Sequence, residues 1–76
     1  MAAWEYAELI VGRSSRGSWR SWEGPDGKIL QLQALAPTKL LTEYGQQGWE
    51  IAAAYYNRSE LERVTTYVLK RRTDDR

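Results

Sequence analysis

Tyr44-Gly45-Gln46-Gln47-Gly48-Trp49-Glu50-Ile51-Ala52-Ala53-Ala54-Tyr55-Tyr56 is the stretch that decides the fold. Its first part closes a helix and its second part is a strand. Gly48 suits the left-handed residue that stops a helix, because it carries no Cβ to clash with the backbone. Gly45 reads as easing the same exit. From Trp49 to Tyr56 the aromatic and apolar residues favour extended structure. Strict alternation puts Trp49, Ile51, Ala53 and Tyr55 on one face and Glu50, Ala52, Ala54 and Tyr56 on the other. The alanine run leaves a flat surface that a helix can approach closely.

Outward from this stretch the other elements fall into order. Pro37 suits a helix's first turn, where its missing N–H costs nothing. Thr38 to about Gln46 follows, with Leu40, Leu41 and Tyr44 on one face. So short a helix depends on packing. Downstream, Asn57-Arg58-Ser59-Glu60 is a turn, and Glu62 to Arg71 is a strand that pairs back antiparallel on Trp49–Tyr56. Near the start, Trp4 to Val11 is a strand that Gly12 ends. Between them, Trp19–Glu23 is expected to pair with Lys28–Gln33 across Gly24-Pro25-Asp26-Gly27, where Pro presets φ and Gly accepts a positive one. The expectation is one α+β domain over residues 1–76. It has an antiparallel sheet of three long strands plus an Arg/Trp-rich hairpin, one helix packed on a face, and a frayed tail at 72–76.

Composition narrows the function. Seventy-six residues make one small domain, and the chain has no Cys and no His. That removes disulfides, Cys/His zinc sites and the commonest general base. Leu, Ile and Val are few, but four Trp and five Tyr supply large areas to bury. Eleven basic and ten acidic residues leave a net charge of +1, which disfavours a strongly basic nucleic-acid binder. The beginning of the sequence has no basic, apolar leader pattern and no apolar run reaches spanning length, so a cytoplasmic protein without a membrane partner is expected.

Trp4-Glu5-Tyr6, Tyr44-Gly45-Gln46-Gln47-Gly48-Trp49-Glu50 and Tyr67-Val68-Leu69-Lys70-Arg71 occur in the order and spacing of a known pattern. The chain resembles the small bacterial and phage family called domain of unknown function 4177 over most of its length. The Gly-x-x-Gly-Trp-Glu element is the specific part. Tyr44 stands where that family usually has Leu, and residues 13–23 lie outside the shared motif. The resemblance implies one helix against an antiparallel sheet, and it implies no reaction.

No serine sits in a Gly-x-Ser-x-Gly elbow and no phosphate loop is present, so catalysis is not expected. Glu5 and Glu50, each beside a Trp, read as solvated residues or partners of Lys70 or Arg71. No cofactor and no metal site is expected, since Asp74-Asp75 lie in the tail. Binding is the better reading. Arg13, Arg16 and Arg20 offer forked donors for phosphate. Trp19 and Trp22 offer flat faces for a base, or else simply cover the sheet. These five residues are the expected site for an anionic, nucleotide-like ligand that a self-associating protein would sequester. A protein–protein adaptor using Trp19 and Trp22 is the alternative, with single-stranded nucleic acid behind it. Exposed sheet edges and surplus aromatics point to a homo-oligomer.

Overall fold

The computed structural model describes residues 3–73. Six elements follow one another: β1 (Trp4–Ser14), β2 (Gly17–Glu23), β3 (Ile29–Leu32), α1 (Pro37–Gly45), β4 (Glu50–Arg58) and β5 (Glu62–Arg72). The strands form one antiparallel sheet in the order β3-β2-β1-β5-β4. The α+β class stands and the expected Arg/Trp hairpin forms, but three long strands plus a hairpin are corrected to one five-stranded sheet in which the hairpin supplies β2 and β3. The Arg/Trp segment is an interior strand, paired with β1 from Glu8–Glu23 to Ser14–Gly17 and with β3 from Arg20–Leu32 to Glu23–Ile29.

Gly12 does not end β1. It lies within the strand opposite Trp19, and a Cβ at Gly12 would run into the Trp19 indole. The bare backbone lets the ring lie flat across β1. The reversal comes later, at Ser15-Arg16, where Gly17 takes φ 127°. The other expected turn holds: the Gly27 amide donates to the Gly24 carbonyl and the Lys28 amide to Asp26 Oδ1.

Directly opposed residues of an antiparallel pair share a face. By register, Glu5, Ala7, Leu9, Val11 and Arg13 of β1 share a face with Arg20 and Trp22 of β2 and with Arg63, Thr65, Tyr67, Leu69 and Arg71 of β5. α1 packs on this face. Its Leu40 is buried with Ala7, Leu9, Trp22, Trp49 and Leu69. Trp22 stacks on Tyr44 at 3.7 Å between ring centroids and 5° between planes. Trp49 meets Trp22 edge-on at 5.3 Å. The Arg71 guanidinium lies 4.5 Å over Trp49, donates to Glu5 Oε2 at 2.7 Å and reaches the Gln47 carbonyl at 3.2 Å. Burial, helped by the Glu43 charge, raises the pKa of the Tyr44 hydroxyl.

The expected alternation in 49–56 is corrected at two points. Trp49 precedes the strand and turns into the core. β4 then carries a bulge: Ile51 pairs with Leu69 and Ala53 with Val68, leaving Ala52 over. Beyond it Ala54, Tyr56 and Arg58, not Ala53 and Tyr55, share the helix face. The alanine run is not the helix's seat, since every residue of β4 is exposed. The tail begins later than expected: Arg72 pairs with Trp4 and the Thr73 amide donates to the Ala3 carbonyl. Residues 74–76 lie outside the described residues.

Nine helical residues span about 13–14 Å. The eleven residues of β1 and of β5 span about 36 Å. The helix therefore covers one end of the face and leaves the Arg13–Arg63 end open.

The two glycines of the helix exit differ. Gly48 takes φ 95°, and an added Cβ would press on Arg71 Cδ at 3.3 Å. Gly45 is outside the positive-φ set and a Cβ there meets nothing within 4 Å, so cap geometry requires only Gly48. Gly48→Ala is expected to lose about 1–2 kcal/mol in chemical denaturation, whereas Gly45→Ala is expected to be neutral or to gain up to about 1 kcal/mol. Equal effects would contradict this assignment.

Candidate anion-binding site

The open end of the helix face carries a row of arginines. Arg13 of β1 is directly opposite Arg63 of β5, and Arg63 is directly opposite Arg58 of β4. Strands about 4.8 Å apart place three guanidinium stems side by side on one face. Like charges directly opposed across strands are unfavourable. Among the described residues, the two ion pairs lie at the other end of the sheet, Arg71 with Glu5 and Lys70 with Glu50. Glu62 is opposite Ser14 and so points to the other face. By register no carboxylate stands within the row, while Glu60 and Glu62 line the hollow beside it.

Arg20 adds a fourth positive charge. It is opposite Val11, on the same face, and only 8% exposed. Its Nε donates to the Leu35 carbonyl at 3.0 Å and another guanidinium nitrogen to the Trp19 carbonyl at 3.2 Å. These bonds tie the β3–α1 connection to β2. They satisfy donors without cancelling charge, and a buried charge is ordinarily paired.

A trough of about 290 Å³ lies here, lined by Val11, Arg13, Arg20, Pro37, Tyr56 and Arg63 among others. Val11 and Thr65 sit side by side on its floor. A wider hollow of about 710 Å³ adjoins it at the β4–β5 turn, where Arg13, Arg58 and Arg63 meet Ser59, Glu60 and Glu62.

Of the five residues expected to bind, Arg13 and Arg20 come together at this trough. Arg16 is in the β1–β2 loop. Trp19 lies on the opposite face, against Gly12. Trp22 is 7% exposed, its ring face taken by Tyr44. The two tryptophans therefore stand on opposite faces of the sheet, and of the expected five residues only Arg13 and Arg20 share a trough. Arg58, Arg63 and Tyr56 were missed. The usable signal was the near-symmetric placement of Arg58 and Arg63 about a tight turn, which makes them cross-strand partners.

Among the described residues no group of three or more His, Cys, Asp or Glu side chains is placed to hold a metal. No helix among the described residues is long and apolar enough to cross a membrane. No protein-family model matches the chain, and no curated protein matches it.

Repulsion within the row makes stability depend on ionic strength. Raising salt from about 10 to 150 mM is expected to raise the melting temperature of the wild type more than that of Arg63→Ser. An identical salt response in thermal melts would show that the three charges do not interact.

Proposed function

We propose that this chain is a non-catalytic, self-associating binding protein that sequesters a phosphate-bearing anion on Arg13, Arg58 and Arg63. The observation that carries this reading is the register of three arginines on one face, none of them in an ion pair among the described residues although Glu60 and Glu62 line the hollow beside them. An anion between the stems would turn their mutual repulsion into shared attraction. Forked guanidinium donors match phosphate oxygens in pairs. Arg20, held by backbone carbonyls beside them, adds to the same field. The chain has no Cys or His to attack or deprotonate what is bound, so holding rather than processing is the chemistry its residues suit.

Titration calorimetry with pyrophosphate tests the site. Saturable binding that weakens with salt is expected, with at least a tenfold loss in Arg63→Ser. Absence of binding to the wild type at low salt would overturn the reading.

The edge strand β4 supports self-association. All nine of its residues are exposed, and from Ile51 to Tyr56 it carries neither charge nor proline. Such an edge is a template for another strand. A second copy of the chain is the occupant proposed, and a different protein seated there would be the adaptor alternative. Sedimentation equilibrium is expected to show a dimer or larger species that Ala53→Lys dissociates. A wild type that stays monomeric at all concentrations would pass β4 to the adaptor reading.

A further inference from the structure

We infer that the anion held at the arginine row is the phosphate portion of a nucleotide, whose base lies in the trough against Tyr56. This rests on the anion-binding reading above and deepens it. Inorganic phosphate would need only the arginines. The trough offers more. Tyr56 is opposite Thr65 and two residues before Arg58, so it shares the arginine face. Its side chain is 55% exposed, and the stacked and edge-on ring pairs of the described residues, Trp22–Tyr44 and Trp22–Trp49, do not include it.

The geometry suits a base and a phosphate in sequence. Tyr56 forms one wall on β4 and Pro37 another beside the start of α1, with Val11 and Thr65 between them. The intervening strands β5 and β1 make the floor roughly 10 Å wide, room for a planar base. From Tyr56 to Arg58 along the strand is about 6.6 Å, a ribose-length offset between a stacked ring and a bound phosphate. Arg63 and Arg13 continue the row sideways, where a second phosphate can follow the first. Every base has a π-face that can lie on Tyr56, so stacking rather than base identity is expected to set affinity.

The base on Tyr56 is expected to contribute what aromatic stacking contributes elsewhere, about tenfold or more in affinity. ADP, GDP and pyrophosphate are titrated into the wild type, Tyr56→Ala, Tyr56→Phe and Arg63→Ser, with circular dichroism confirming that each folds. The wild type is expected to bind ADP and GDP similarly, and both more tightly than pyrophosphate. Tyr56→Ala is expected to weaken the nucleotides about tenfold and leave pyrophosphate unchanged. Tyr56→Phe keeps nucleotide affinity, and Arg63→Ser weakens all three ligands. Equal binding of ADP and pyrophosphate, unaffected by Tyr56→Ala, would overturn the nucleotide and leave the anion site standing. Failure of all three ligands on the wild type would remove both. Affinity for oligothymidylate that exceeds that for ADP and grows with length would replace the nucleotide with single-stranded nucleic acid.

Discussion

Trp22 is the side chain on which the fold depends. It stands on the central part of the sheet, stacks its face on Tyr44 of the helix and its edge against Trp49. Arg71 covers Trp49 and is held by Glu5 from β1 and by the Gln47 carbonyl of the helix exit. One cluster thus joins β1, β2, β5 and both ends of the Gly45–Trp49 turn. The helix needs it. Ala36 at its N-terminus gives no side-chain cap, its first turn has no acid and its last turn has no base. Its ends offer little intrinsic stability, and packing on Trp22 holds it in place.

Seating the helix at Trp22 also decides what it leaves uncovered. A short helix on long strands can shield only part of one face. Apolar residues gather under the shielded part, and arginines occupy the part that stays wet. Charges opposed across strands are tolerable there because solvent screens them. The same division separates the chain's ionic chemistry. The Arg71–Glu5 pair supports the helix exit, while Arg13, Arg58 and Arg63, in no ion pair among the described residues, gather toward the opposite end.

Much of the architecture was legible because local chemistry determined it. Pro37, Gly48 and the Gly24-Pro25-Asp26-Gly27 turn each require a backbone geometry that few other residues accept. The fold's remaining features arise from pairing between distant segments. Gly12 looked like a terminator, yet its role is set by Trp19 across the strand. Trp19 and Trp22 looked like one binding pair, yet three positions along a strand put them on opposite faces. The arginine row is invisible in composition because its members stand at 13, 58 and 63, and only the register assembles them.

The bulge at Ala52 reconciles two demands on β4. At one end, Trp49 and Ile51 must meet the core side of β5. At the other, the tight turn sets Arg58 against Arg63 and brings Tyr56 to the same face. Uninterrupted alternation cannot satisfy both, because these two registers differ by one residue. Ala52 absorbs the difference. Its methyl group is exposed and buries nothing, so many residue types would serve in its place. What this position must keep is its existence: along this stretch selection would act on the number of residues between Trp49 and Tyr56 more strictly than on their identities.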